Sequence, residues 1–151
     1  MEPVVSTVAE LFHQVHQSLR DEVVGLDAEA LNWTPGADTN SIAAIVVHTL
    51  GSEAEVLRTV CAVAGQRDRD AEFRAKAETA DDLLQQLEQG DAYLDQLAAQ
   101  ISADDLTAVR ERGEREPQTG LYWLVSNYGH AREHLAHIQL TKQLYQQRTN
   151  T

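Results

Sequence analysis

The sequence predicts an all-α fold, a four-helix bundle of antiparallel or crossover connectivity, in a single domain spanning residues 1–151. Four segments repeat apolar residues at helical spacing, strand signals are very few, and no repeat of solenoid period is present. The composition agrees: 42% hydrophobic and 24% charged residues are ordinary for a core-forming globular chain. At 151 residues such a chain buries about two-thirds of its unfolded surface.

The first helix is expected from Ser6 to about Val24, with Val8, Leu11, Phe12, Val15 and Leu19 on one face and Thr7 with Glu10 as a capping box. His13 and His16 lie partly on its polar side and read as exposed or half-buried helix histidines. Pro35, Gly36, Asp38 and Asn40 punctuate the connection that follows. Asn40 then caps a second helix, Ser41 to Ala64, whose core face comprises Ile42, Ile45, Val46, Val56, Leu57 and Val60. His48 borders that face, with Ser41, Ser52, Glu55 and Thr59 on the same side as a polar lane. Glu55 is the carboxylate placed to support a ligand or to move a proton.

Residues 65–78 are highly charged and read as a surface loop or a frayed helical extension. Thr79 and Asp82 start a third helix reaching Ile101, striped by Leu83, Leu87, Leu94, Leu97 and Ile101 and weakened by Gly90. Ser102 to Val109 forms a short helical turn, and the charged run after it an exposed connection. Thr119 caps the fourth helix, which runs to about Gln146 with Leu121, Leu124, Ala131, Leu135 and Ile138 as its apolar arc.

Asp and Glu number 24 against 12 Lys and Arg, a net charge of -12. That field repels phosphate backbones and anionic lipid, which argues against nucleic-acid and membrane partners. The arginines at 67 and 69, and at 110, 112 and 115, are interleaved with acids and read as solvated charge mixtures, not a basic patch. One cysteine, Cys61, excludes an intrachain disulfide and a cysteine-rich zinc framework, and reads as an inert core thiol. With no basic leader and no apolar run approaching about 18 residues, a cytoplasmic protein is expected.

The chemistry concentrates on the fourth helix. His130, His134 and His137 stack along one stripe beside the apolar arc, where groups lining an interhelical cavity belong. Two histidines one turn apart can chelate one ion, and a third ligand from another helix would leave a position open for water or substrate. Bundle sites are built from inward side chains on facing helices, and there His48, His130 and His134 could converge. His137 is a ligand, a hydrogen-bonding neighbour or simply the next residue in the stripe. Imidazole suits zinc, nickel, iron and copper alike. The same residues spell H-x-x-E-H from His130 to His134, the inverted zincin pattern, but Glu133 points round the helix from the histidines and no distal acidic ligand segment is evident. No G-x-S-x-G elbow and no glycine-rich phosphate loop is present.

Two blocks carry a family resemblance. Trp33, Pro35, the helix start Asn40-Ser41-Ile42 and His48 form the first; residues 128–140, YGHAREHLAHIQL, with His130 and His134 spaced H-x-x-x-H, form the second. Together they resemble the DinB-like superfamily, from one end of the domain to the other. The departure is the run His134-Leu135-Ala136-His137, where many relatives end the second block with a His-Arg-Gly-Gln type run. The resemblance implies a four-helix bundle, often a homodimer, binding a divalent metal through His48, His130 and His134, with zinc or nickel expected. It further implies an enzyme that transfers a low-molecular-weight thiol such as bacillithiol, mycothiol or glutathione to a small electrophile, a hydrolase using metal-bound water, or a non-catalytic metal-binding bundle.

Overall fold

The apolar stripes close into one core in the computed structural model, which describes residues 1–149. In chain order the elements are α1 (Pro3–Val23), α2 (Ala28–Asn32), α3 (Ile42–Val60), α4 (Arg69–Phe73), α5 (Ala80–Ala98), α6 (Ala103–Thr107), β1 (Val109–Arg112), β2 (Arg115–Thr119) and α7 (Gly120–Thr149). The four long helices form the bundle. Both α1 and α3 pack on α5 and on α7. Consecutive long helices α1 and α3, like α5 and α7, therefore stand diagonally, and the connectivity is of the crossover kind. Phe12, Leu19, Ile42, Leu57, Leu83, Leu87, Leu94, Leu124 and Ile138 are fully buried between them, each contributing about 1.5–3 kcal/mol on leaving water.

Local chemistry explains the helix ends. Pro3 opens α1, where its missing N–H costs nothing, and the expected Thr7–Glu10 capping box is absent because Thr7 lies inside the first turns and donates to the Pro3 carbonyl at 3.1 Å. Ser41, not Asn40, caps α3, its hydroxyl accepting from the Ala44 amide at 3.1 Å. That helix stops at Val60, short of the expected Ala64. Ala62 turns left-handed at φ 54°, and the amides of Ala62 and Val63 return to the carbonyls of Thr59 and Arg58 at 3.2 and 2.9 Å, the paired closure of a Schellman end. The Thr79–Asp82 capping box of α5 forms as expected, and Thr119 accepts from the Tyr122 amide at 3.2 Å.

The connections hold more structure than periodicity suggests. Asp27 caps α2, and Asp68 caps α4 inside the charged stretch expected to be a loop or frayed extension. The run after α6, expected as an exposed connection, is an antiparallel hairpin with Arg112 opposite Arg115 and Arg110 opposite Gln118. It lacks an apolar alternation because tertiary ties hold it: the Trp123 indole donates to the Arg110 carbonyl at 3.0 Å, Arg110 pairs with Asp105 at 2.9 Å, and Arg112 reaches Glu55 on α3. No helix among the described residues is long and apolar enough to cross a membrane.

Candidate metal centre

Helical periodicity places His130 and His134 on one face of α7, one turn apart, and the packing of α3 against α7 brings His48 to meet them. Their ring centroids lie 5.3 Å (His48–His130), 4.9 Å (His48–His134) and 4.2 Å (His130–His134) apart. One donor atom from each lies within 4.8 Å of the others. The Nε2 atoms of His130 and His134 are 2.9 Å apart. Two nitrogens each at about 2.0–2.1 Å from one ion are separated by roughly 2.9–3.4 Å over bond angles from a right angle to tetrahedral. The spacing fits a shared divalent ion.

The protonation state fits as well. Burial pushes His130 down to about 4, with the charges of His48, Arg112, Arg67 and Arg115 adding to it. Burial likewise pushes His134 down to about 4, reinforced by His130, His48 and His137. His48 is also lowered, by burial and by Arg67 and Arg69, against the opposing pull of Glu72. Neutral imidazole is the coordinating form. His130 Nδ1 is buried with no hydrogen-bond partner.

His48 is oriented by a carboxylate that the sequence does not advertise. Its Nδ1 lies 3.0 Å from a Glu72 oxygen and 3.3 Å from Arg67 Nη2; a proton on Nδ1 would donate to the carboxylate and leave Nε2 as the coordinating atom, the way a carboxylate fixes a ligand's tautomer. Glu72 comes from α4 and is itself held by Arg67 at 2.9 and 2.8 Å. Gly51 makes the approach possible, because a Cβ there would collide with the Glu72 carboxylate. Phe73, next in α4, stacks on the His48 ring at 4.4 Å. The Asp68 N-cap is the only local signal for this helix; nothing in a charged run marks which glutamate turns inward.

Glu55, singled out in the sequence by its place in the polar lane of α3, accepts instead from Arg67 at 2.9 Å and Arg112 at 2.8 Å. Burial pushes its carboxyl up, but the two guanidinium groups outweigh that and hold it below the usual range. It touches neither His130 nor His134 through a described hydrogen bond, and its geometry is that of a clamp on two arginines. His137 is exposed and sits 3.4 Å from His134 through their Nδ1 atoms.

A cavity of about 610 Å³ opens onto all four histidines, walled by Ile45, Phe73, Leu140 and Leu144. On the far side of His130 a smaller one of about 310 Å³ lies under the hairpin, lined by Ser52, Arg112, Arg115, Trp123 and Asn127.

His13 and His16, expected to be exposed or half-buried, form a second centre with Asp91. His16 is fully buried; its Nδ1 meets Asp91 at 2.7 Å and its Nε2 meets Glu53 at 2.8 Å. His13, half-buried, bridges Asp91 at 2.9 Å and Asp95 at 2.8 Å, and Arg20 pairs with the other Asp91 oxygen. A helical wheel of α1 alone puts these rings toward its polar side; the facing carboxylates belong to α3 and α5.

The DinB superfamily model matches residues 11–138. The fold is similar to that of a conserved protein from Enterococcus faecalis, at a TM-score of 0.78 and 14% identity over 95% of this chain and 98% of that one. It is also similar to a DinB-like protein from Bacillus cereus, at 0.72 and 12% over 91% and 90%. No curated protein matches the chain. Because the family pattern runs from α1 to the histidine-bearing stretch of α7, the chain belongs to the DinB superfamily.

Proposed function

We propose that this protein is a divalent-metal-dependent enzyme that transfers a low-molecular-weight thiol to a small electrophile, with His48, His130 and His134 holding a zinc or nickel ion. The observation that carries the reading is a set of three neutral, convergent imidazoles at the wall of a cavity of about 610 Å³, a volume suited to small molecules. A bound ion would supply Lewis acidity, making a thiol or a water beside it a nucleophile near neutral pH. Glu72 and Arg67 orient His48. Ile45, Phe73, Leu140 and Leu144 present an apolar wall to an electrophile and keep water from it. Glu55 acts through Arg67 and Arg112 in this reading, keeping both guanidinium groups beside the histidines. The family resemblance also supports a homodimer, which sedimentation would reveal as a mass near twice the 16.7 kDa chain.

The test is metal analysis of untagged protein purified without chelator, followed by turnover of an aryl halide with bacillithiol, mycothiol or glutathione. Thioether formation with chloride release, dependent on both metal and thiol, is expected. Metal-dependent turnover without any thiol would move the assignment to hydrolysis, and inertness with metal retained would leave a binding protein.

A further inference from the structure

The cavity of about 310 Å³ on the hairpin side of His130 meets the site just described only at His130 and Arg112, and its lining is unusual for so acidic a chain. Strand register sets Arg112 directly opposite Arg115, and both line the cavity. Like charges facing across a two-stranded ribbon repel. Arg112 is offset by Glu55, whereas Arg115 makes no ion pair among the described residues. The only carboxylate lining this cavity is that of Glu116, which is exposed.

Polar groups at the floor are buried and incompletely used. Ser52 is 3% exposed and Asn127 is 4% exposed. The Ser52 oxygen accepts from Asn127 Nδ2 at 2.9 Å and from Arg112 Nη2 at 3.2 Å, which occupies both lone pairs and leaves its O–H to donate. Asn127 Oδ1 has no partner, and neither does His130 Nδ1. As placed, the Ser52 hydroxyl is left to donate while Asn127 Oδ1 stands unpaired as an acceptor; exchanging the ends of the amide lets Oδ1 accept the Ser52 hydroxyl and turns the Nδ2 donors toward the cavity instead. Buried donors beneath two opposed guanidinium groups make a site for a compact oxyanion.

We propose that this cavity is a second subsite that anchors the carboxylate or phosphate group of a small molecule, holding it by Arg115 and Arg112 above Ser52 and Asn127. The anchor deepens the proposed function, since a molecule seated there extends to His130, but anion binding itself requires no metal. These two arginines then differ from the solvated charge mixture expected of the sequence, because folding converts alternating charges into a one-sided pair.

Succinate and inorganic phosphate are the probes, titrated at low ionic strength into chelator-treated protein. The readout is the fluorescence of Trp123, which lines the cavity, in a Trp33→Phe background. Saturable binding of at least one probe is expected, and which one binds tells a carboxylate from a phosphate source. Arg115→Glu, at an exposed position, should raise Kd by about tenfold or more, and Arg115→Gln should raise it less. Lys76→Glu makes the same charge change outside the cavity and should leave Kd within about twofold. No saturable binding of either probe, or equal weakening by Arg115→Glu and Lys76→Glu, would overturn the subsite. His134→Ala separates the two readings: it should abolish metal binding while leaving the metal-free probe affinity unchanged.

Discussion

His13 and His16 on one side of the bundle, and His48, His130 and His134 on the other, are built from the same side chain at similar depth. Gly51 admits Glu72 beside His48. What separates the two clusters is where the carboxylates sit. Every ring nitrogen of His13 and His16 meets Asp91, Asp95 or Glu53. Burial would lower both groups, but those acids outweigh it and raise them above 6.5. In the other cluster a single carboxylate, Glu72, touches one ring nitrogen, Nδ1 of His48, and burial acts on His130 and His134 unopposed. One arrangement favours imidazolium and an ion-pair network between helices. The other favours neutral imidazole. Both offer three donor atoms within 4.8 Å, so proximity alone does not distinguish a ligand set from a charge network.

The sharpest way to break this distinction is to remove one histidine from each cluster and measure metal affinity. His134→Ala should weaken binding by about a thousandfold or more, roughly 4 kcal/mol, while His13→Ala should leave it unchanged. An equal loss in both would mean that the α1–α5 cluster also holds the ion.

Stability should respond in the opposite order. His16→Ala strands the buried Glu53 carboxylate and should cost about 3 kcal/mol or more in urea unfolding, whereas His134→Ala should cost less than half of that in metal-free protein. The pH signs also oppose each other. Raised folded values mean that His13 and His16 stabilise fully below the unfolded value of 6.5 and lose that contribution as pH rises through their folded values. His130 and His134, lowered to about 4, remain neutral while unfolded imidazoles protonate, so acidification from 6.5 toward 4 destabilises the fold through them. The penalty of His16→Ala should therefore be larger at pH 6 than at pH 9, and a constant difference would remove the imidazolium from the account.

The smallest expected effect separates the two glutamates. Glu72→Gln loosens the hydrogen bond that orients His48 and should weaken metal binding by roughly 10-fold. Glu55→Gln, acting only through arginines, should change it by less than about threefold by the same comparison. Reversal of that order in a metal titration would restore Glu55 as the group supporting a ligand.

The four long helices were legible because a core stripe repeats over many turns: Val8, Phe12, Val15 and Leu19, or Leu83, Leu87, Leu94 and Leu97, point one way whatever their neighbours do. Capping at Thr79 and Thr119 was legible for a similar reason, since a cap is satisfied by atoms three residues away. The H-x-x-x-H spacing of His130 and His134 belongs to the same class, because one helix alone brings those rings together. By contrast, α2, α4 and the hairpin are short, carry no periodic apolar face, and are stabilised by partners distant in sequence. Asn32 exchanges hydrogen bonds with the Ala77 backbone at 2.7 and 3.0 Å, and Arg112 reaches Glu55.

The residues themselves thus determined that four amphipathic helices would form and that α7 would present two histidines on one face, since both follow from a helical repeat and local hydrogen bonds. Only the tertiary structure decided which charges met which nitrogens. It turned Glu72 inward onto His48, placed Glu55 between two arginines, set Arg112 against Arg115, and surrounded His16 with acids from α3 and α5. Electrostatic pairing depends on distances between helices, and those are set by packing rather than by order along the chain.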